Sequence, residues 1–250
     1  MEVLPLYTAV VPIPMLGSII NALAVIAGSL IGVGVGRKVP KGMSDAVFKA
    51  LGVVTGIIGI SGVISAIFTV NPLSGRLESE GVFLLLISLV VGCVIGESLK
   101  IDERLSALGR KVEARLGASG FARGFVTASL LFPVGAMSVM GALYDGLTGD
   151  ISILLLKSSL DFTASIILAS TLGIGVLFSF IPLFIFQGSI TLLAGAIYPF
   201  VTQSLLDMFS MVGYAVVMCI GINFVADTNI KVANLLPGLV LPVVYYFIIG

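Results

Sequence analysis

The stretch ISILLLKSSLDFTASIILASTLGIGVL, residues 151–177, is a continuous apolar run that contains one lysine and one aspartate. A bilayer core about 30 Å thick is spanned by about 20 mostly apolar helical residues, so the run predicts a transmembrane helix. A transmembrane β-strand would be about 10 residues long and would alternate in polarity. The sequence therefore predicts that this segment crosses a membrane as a helix.

Similar apolar runs recur along the whole chain and predict about eight spans, with seven as the alternative count. Residues 15–250 are expected to form a single transmembrane domain of all-α class, a polytopic helix bundle. The predicted runs are 16–36, 46–68, 81–101, 121–143, 151–177, 180–200, 209–226 and 232–249.

The overall composition excludes several classes of protein. The chain has 250 residues, of which 58% are hydrophobic and 10% charged, with zero net charge. A soluble domain has about 25% charged residues, so a soluble globular protein is excluded. Disorder requires low hydrophobicity and high charge, and nucleic-acid binding requires a basic surface. We therefore expect the lipid bilayer as a partner, and no nucleic acid.

The sequence offers few groups for metal binding or catalysis. It has no histidine, and its two cysteines, Cys93 and Cys219, lie far apart in apolar runs. Imidazole metal ligands and histidine general bases are therefore absent. No G-x-S-x-G motif and no pair of carboxylates within one span indicates an active site. We expect no metal, no cofactor and no enzymatic activity.

The distribution of basic residues predicts the orientation of the bundle. Eleven of the 13 lysines and arginines fall in or beside the first, third and seventh connections between predicted spans. Basic residues favour the cytoplasmic side, so these connections are predicted to be cytoplasmic and both termini to lie outside. We expect a multi-pass protein of the cell (inner) membrane. Residues 1–14 contain three prolines and no basic residue, which favours a loose N-terminal tail.

Residues 101–117 form the one clearly polar helical segment. Its apolar residues recur at steps of three and four, which places them on one face of a helix, and basic residues occupy the other face. This pattern is typical of an amphipathic helix on the anionic cytoplasmic leaflet. A protein-docking helix is the alternative. The apolar stripe comprises Ile101, Leu105, Leu108, Val112 and Leu116.

Lys157 and Asp161 are the clearest candidates for functional residues. They are four residues apart, so both side chains project from one face of the helix. Ionisable groups within a span are costly and usually mark a substrate or ion pathway. The alternative is a structural ion pair that fixes helix packing. Four amides in the predicted spans complete the candidate pathway: Asn21, Gln187, Asn223 and Asn234.

Residues 144–150, YDGLTGD, combine two aspartates and two glycines. Such a composition predicts a tight turn, in which Asp150 or Thr148 would cap the following helix. The alternative is an outer vestibule that attracts cations, formed by Asp145, Thr148 and Asp150.

Two predicted spans contain helix breakers in their middle. Pro133 and Gly135 interrupt the fourth span, and Pro237 and Gly238 the eighth. Proline removes a backbone hydrogen bond, and transporters use such broken helices at their binding sites. Simple kinks are the alternative.

Two short matches suggest an internal repeat. Gly17-Ser18-Ile19 is matched by residues 188–190, and Ile58-Gly59-Ile60 by residues 220–222. Both matches are offset by five predicted spans, an odd number, so the two units would be inverted as in many transporters.

Several segments resemble the bacterial membrane family catalogued as domain of unknown function 554. The resemblance covers about residues 15–250 and is most specific over 133–195. It implies a multi-span inner-membrane protein and implies no particular activity. Members of that family usually begin at the residue that matches Met15. The matching segments are 15–24, 134–137, 145–150, 155–158, 160–161, 169–176, 187–188 and 233–237.

These observations favour a secondary transporter or permease for a small solute or cation. Asp161 would be its protonatable or cation-binding group, with Lys157 as the counter-charge. The alternative function is a membrane scaffold that docks a partner through the basic amphipathic helix. A homo-oligomeric assembly is compatible with either function.

Overall fold

The structure is a computed structural model, which describes residues 15–36, 40–70, 77–79, 81–116 and 120–249. The predicted N-terminal tail, residues 1–14, lies outside the described residues. The α-helices are α1 (Leu16–Gly36), α2 (Lys41–Ile67), α3 (Val82–Leu99), α4 (Ile101–Leu116), α5 (Phe121–Leu131), α6 (Ala136–Thr148), α7 (Ser152–Leu172), α8 (Phe180–Leu192), α9 (Ala194–Ile197), α10 (Gln203–Ala226) and α11 (Val240–Ile249).

Shorter elements connect these helices. The 3-10 segments among the described residues are Gly173–Ser179, Tyr198–Phe200 and Val232–Leu239. Two short strands, β1 (Phe68–Val70) and β2 (Leu77–Ser79), pair antiparallel, with Thr69 opposite Glu78. The strands lie in a connection between helices, so every apolar run that the structure describes is helical.

The all-α membrane bundle predicted from the sequence is confirmed. Within the described ranges, five helical stretches are long and apolar enough to cross a membrane, and two shorter apolar helices accompany them. The number of eight spans stays a prediction. The five stretches are Leu16–Gly36, Asp45–Ile67, Val82–Leu99, Ser152–Leu192 and Gln203–Ala226.

The longest of these stretches, Ser152–Leu192, reverses its direction. Gly17 lies against Leu154 on α7, and Gly32 lies against Ile166 further along the same helix, so α7 runs parallel to α1. Asn21 contacts Gln187 and Ser18 contacts Thr191, so α8 runs antiparallel to α1. The turn lies within the 3-10 segment Gly173–Ser179, close to the predicted boundary between two spans.

Glycines bring the helices into close contact. A Cβ on Gly28 of α1 would overlap the Phe162 carbonyl of α7, and a Cβ on Gly59 of α2 would overlap the Met218 backbone of α10. Gly96 of α3 lies in the same way against the Asn234 backbone. Without a hydrophobic force between helices in lipid, close backbone approach through small residues holds a bundle together.

The bundle buries a core between its helices and exposes an apolar surface. Val25, Leu168, Val176 and Val216 belong to one buried apolar cluster. Large apolar side chains such as Leu30, Ile57 and Val94 are exposed on the outside. An exposed apolar surface of this kind is the surface that lipid covers.

The amphipathic helix α4 has the predicted position in the sequence, but its apolar face packs partly on protein. Ile101 and Leu105 contact the buried apolar cluster, and Gly109 lies against Ala122 of α5. Leu108 is exposed. Part of the stripe that was predicted to face lipid therefore joins α4 to the bundle.

Candidate functional site

Lys157 and Asp161 form a buried ion pair on one face of α7. The Lys157 Nζ atom donates to both carboxylate oxygens of Asp161, at 2.9 and 2.8 Å. The two residues are 7% and 6% exposed. Because the charges neutralise each other inside the bundle, the pair is tolerated where either charge alone would be costly.

Two of the predicted amides join this pair from other helices. Asn21 of α1 donates through Nδ2 to Asp161 Oδ2 at 3.0 Å and to Gln187 Oε1 of α8 at 3.2 Å. Asn21 and Gln187 are fully buried. The Asp161 and Gln187 oxygens therefore converge on one atom, Asn21 Nδ2.

A serine that was not among the predicted residues links the group to the broken span. Gln187 Nε2 donates to Ser138 Oγ of α6 at 3.5 Å, and Ser138 donates to the Phe132 carbonyl at 3.3 Å. Phe132 lies at the break between α5 and α6. We call Asn21, Ser138, Lys157, Asp161 and Gln187 the buried polar cluster.

The local sequence explains how these side chains meet. The closely packed Gly28 sets the register of α1 on α7. The break at Pro133–Gly135 separates α5 from α6, and Gly135 has φ 108, a conformation that favours glycine. Ser138 lies in the first turn of α6, where it satisfies a carbonyl that the break releases.

One atom of the buried polar cluster remains available for a further hydrogen bond. Asn21 Oδ1 has no hydrogen-bond partner among the described residues. A buried acceptor without a partner is costly, and such groups are usually satisfied by water or a ligand. The cluster therefore combines a carboxylate, an ammonium and amide groups with unused acceptor capacity.

Polar contacts continue from this cluster toward the start of α1. The hydroxyls of Ser18 and Thr191 lie 3.4 Å apart. At the residue before Ser18, the Gly17 N–H donates to Asp145 Oδ2 at 3.1 Å, and Asp145 is buried. A carboxylate is stabilised at a helix N-terminus by the free N–H groups and the helix dipole, so Asp145 caps α1 from a neighbouring helix.

The predicted turn over 144–150 is shorter than expected. α6 continues through Asp145 to Thr148, and the turn follows it, with Gly149 at φ 72. The Thr148 hydroxyl donates to the Tyr144 carbonyl. Asp150 accepts from the Ser152 N–H at 2.9 Å, at the start of α7. Hydrogen bonds from the Ser152 side chain and backbone hold the pKa of Asp150 below its ordinary value.

Asn234 lies in a different polar group, at the start of the segment Val232–Leu239. Its Nδ2 donates to Glu97 Oε2 at 2.6 Å, and its Oδ1 accepts from the Asp102 N–H at 2.8 Å. Lys231 Nζ pairs with Glu97 at 2.6 Å and with Glu103 at 3.4 Å. We call Glu97, Glu103, Lys231 and Asn234 the rim cluster. The hydrogen bond that Lys231 donates to Glu97 raises the pKa of Lys231 above its ordinary value.

Asn223 is also separate from the buried polar cluster. Its amide holds the chain that follows α10, because Nδ2 donates to the Ile230 carbonyl and Oδ1 accepts from Thr228 and from the Ile230 N–H. The prediction placed all four amides on one pathway. The structure brings Asn21 and Gln187 together and places Asn223 and Asn234 at helix ends, where they satisfy backbone groups.

The second predicted break has the form of a 3-10 segment. Pro237 lies within Val232–Leu239, and Gly238 approaches the Ser88 carbonyl of α3. The Pro133–Gly135 break adjoins the buried polar cluster, whereas the Pro237–Gly238 break serves the packing of α3.

The described residues contain no group of three or more His, Cys, Asp and Glu side chains that could hold a metal ion. The chemistry of the buried polar cluster is thus that of one carboxylate balanced by one ammonium. A sequence match provides the context for this arrangement: the family described as "Protein of unknown function (DUF554)" matches residues 16–247.

The chain belongs to the DUF554 family.

The resemblance seen in the sequence is thereby confirmed. The chain is similar to "Uncharacterized membrane protein YdfK" of Bacillus subtilis (strain 168), with 32% identity over 237 residues that cover 94% of this chain and 97% of that protein. It is also similar to "Uncharacterized protein YqgA" of Escherichia coli (strain K12), with 28% identity over 234 residues that cover 91% and 94% of the two chains. No solved structure matches the chain. The DUF554 chain is thus a membrane protein of helical architecture.

Proposed function

We propose that this DUF554 protein is a secondary transporter or permease for a small solute or cation, with the buried polar cluster as its central site. The supporting observation is that four residues predicted to line a pathway, on α1, α7 and α8, meet in one hydrogen-bonded group. Intramembrane ionisable residues typically mark substrate pathways. We also propose that the protein catalyses no covalent chemistry.

In this function Asp161 is the protonatable or cation-binding group, and Lys157 is its counter-charge. The pair is neutral in the present arrangement. A proton or cation that reached Asp161 would compete with the Lys157 ammonium for the same carboxylate, because one buried carboxylate cannot neutralise two positive charges at low dielectric. Loading and release of the site would therefore be linked to movement of the Lys157 side chain.

The broken span supports this function. Ser138, a member of the cluster, donates to the Phe132 carbonyl at the interruption between α5 and α6 and accepts from Gln187. Non-helical backbone at membrane depth occurs where it is buried in protein or lines a polar cavity, and transporter sites are built at such interruptions. A change of the break angle would move Ser138 relative to its hydrogen-bond partner Gln187 on α8.

The basic residues support a location in the cell (inner) membrane with both termini outside. Within the described residues, α4 and the start of α5 are rich in arginine and lysine, including Arg104, Arg110, Lys111 and Arg115. Basic connections favour the cytoplasmic side.

The test is transport by the full-length protein in liposomes that enclose a pH-sensitive dye. A pH gradient is imposed, and Na⁺, K⁺ or Li⁺ salts are added in separate runs. We expect the wild type to dissipate the gradient and Asp161→Asn to lose this activity at every pH tested. Asp207→Asn is the matched control, because Asp207 accepts from Gln203 on α10 and belongs to no part of the cluster.

Equal transport by Asp161→Asn and wild type across the pH series would contradict the proposed role of Asp161. If the wild type failed to dissipate the gradient with all three cations, the result would contradict cation or proton transport as such.

A membrane scaffold is the second candidate function, favoured by the surface of α4. Arg104, Arg110, Lys111 and Arg115 are exposed on this helix, as is Leu108. A partner with an acidic surface would fit this face. Replacing the basic residues of 104–115 by glutamine should then abolish recovery of the partner without affecting membrane insertion, and absence of any partner after gentle extraction would contradict it.

A further inference from the structure

A polar cavity lies apart from the buried polar cluster, between α4, α5, α10 and the chain that follows α10. Its volume is about 430 Å³, within the range of small-ligand sites, about 300–1,000 Å³. None of the members of the buried polar cluster lines it. Its floor is apolar and is formed by Val126, Leu130, Ile220, Phe224 and Val232.

One wall of this cavity is a loop that side-chain hydrogen bonds hold in place. Thr228, Asn229 and Ile230 line the cavity, and the Asn223 amide fixes this loop through three hydrogen bonds of 2.8 to 2.9 Å. The Asn223 amide binds both the N–H and the carbonyl of Ile230 and accepts from the Thr228 hydroxyl. These contacts hold the loop in a defined position. The loop thus forms a fixed wall of the cavity beside the helices.

The charges on the wall leave an excess of positive charge. Arg110 of α4 and Arg123 of α5 line the cavity together with Asp102 and Asp227. Asp227 is paired with Lys49 at 3.8 Å. The basic side chains in or beside the cavity therefore outnumber its carboxylates by three to two.

The two arginines are suited to recognise an anion. The Arg123 guanidinium carbon lies 5.8 Å from the centre of the Phe224 ring, which orients its planar group by a cation–π contact. Arg110 is exposed and forms no ion pair with any described residue. Guanidinium groups bind phosphate through two parallel hydrogen bonds.

We propose that this cavity is a binding site for a phosphate group that carries an apolar substituent. The two arginines on the cavity wall bind the phosphate, and the substituent lies on the apolar floor formed by α5 and α10. The headgroup of an anionic phospholipid and a soluble phosphate ester share this chemistry. Basic pockets between membrane helices on the cytoplasmic side bind anionic headgroups, and this cavity lies on the face that the basic residues mark as cytoplasmic.

The site is independent of the proposed transport function, because it uses no member of the buried polar cluster. Its test is therefore a binding measurement and needs no transport assay. The purified full-length protein in detergent is titrated with dihexanoyl phosphatidylglycerol, with dihexanoyl phosphatidylcholine as the zwitterionic control, and with inorganic phosphate as a competitor. Binding is measured by native mass spectrometry and by the thermal stabilisation that a ligand produces.

We expect phosphatidylglycerol to bind more tightly than phosphatidylcholine. Arg110→Gln and Arg123→Gln should each weaken its binding about tenfold, the value of one charge-assisted hydrogen bond. Arg115→Gln is the matched control on α4 outside the cavity and should retain wild-type binding. Arg123→Lys keeps the charge and removes the planar fork, so it should weaken binding without a general loss of charge.

Competition by inorganic phosphate would support recognition of the phosphate alone, and thus soluble esters as well as lipids. Lack of competition with retained arginine dependence would support the lipid as the ligand. Equal binding of the two lipids, equal effects of Arg110→Gln and Arg115→Gln, or no binding at all would each overturn the proposal.

Discussion

The buried polar cluster and the rim cluster are built from the same groups in different surroundings. Each joins a lysine, a carboxylate and an asparagine: Lys157, Asp161 and Asn21 in one, and Lys231, Glu97 and Asn234 in the other. The ion-pair distances are 2.8 and 2.6 Å. The side chains of the first pair are 8% and 9% exposed, and those of the second are 37% and 54% exposed.

The comparison shows that burial, more than the distance between the charged groups, determines the cost of removing one partner of an ion pair. In a buried pair, removal of one partner leaves an uncompensated charge at low dielectric. An exposed pair gains little, because water and salt screen it. The buried polar cluster is accordingly the candidate for function. The rim cluster connects α3, α4 and the segment Val232–Leu239 through hydrogen bonds and ion pairs.

The largest expected effect comes from removing one charge of the buried pair. Lys157→Met leaves Asp161 as a buried unpaired carboxylate and should lower the free energy of unfolding by roughly 3–5 kcal/mol. Thermal unfolding in detergent measures the change, and Lys231→Met is the matched variant in the rim cluster. A loss of stability as small as that of Lys231→Met would break the comparison.

The next effect concerns the helix contact that sets the register of the buried polar cluster. A Cβ on Gly28 would meet Ser165 and the Phe162 carbonyl, whereas a Cβ on Gly34 of the same helix meets nothing within 4 Å. Overpacking typically costs about 1–3 kcal/mol, so Gly28→Ala should unfold at lower temperature and Gly34→Ala should not. Equal thermal stability of the two variants would show that α1 does not pack on α7 as described.

The smallest effect concerns the rim cluster and its dependence on pH. Since the pKa of Lys231 is raised above its ordinary value of 10.5 in the folded chain, the protonated form contributes stability below that value. This contribution is lost as the pH rises through the raised pKa. The difference in melting temperature between wild type and Lys231→Met should be small, constant around neutral pH, reduced by high salt, and lost at strongly alkaline pH. A difference that grows with salt would contradict this account.

The sequence allowed the parts of the molecule that depend on local spacing to be predicted. Apolar runs predicted the helical bundle, and the four-residue spacing placed Lys157 and Asp161 on one face. Pro133 and Gly135 predicted the interruption between α5 and α6. These features follow from the period of the α-helix and from the backbone chemistry of single residues.

The contacts between distant helices could not be predicted in the same way. Nothing near Asn223 or Asn234 distinguishes them from Asn21, and only the register between helices decides which amide reaches Asp161. Ser138 gave no signal except its position just after a break. Asp145 was predicted in a turn, because Gly146 and Gly149 resemble turn residues, yet Gly146 serves to pack α6 against the Thr191 carbonyl.

The most direct test of the central claim is transport by a variant that lacks both charges, Lys157→Met with Asp161→Leu. Replacing a buried ion pair by apolar residues of similar size is often neutral or stabilising, and Asn21 keeps Gln187 as an acceptor. We predict that this variant unfolds at a temperature close to that of the wild type and fails to dissipate the pH gradient in liposomes. Wild-type transport by a stable double variant would contradict the account and show that the pair serves only to pack the bundle.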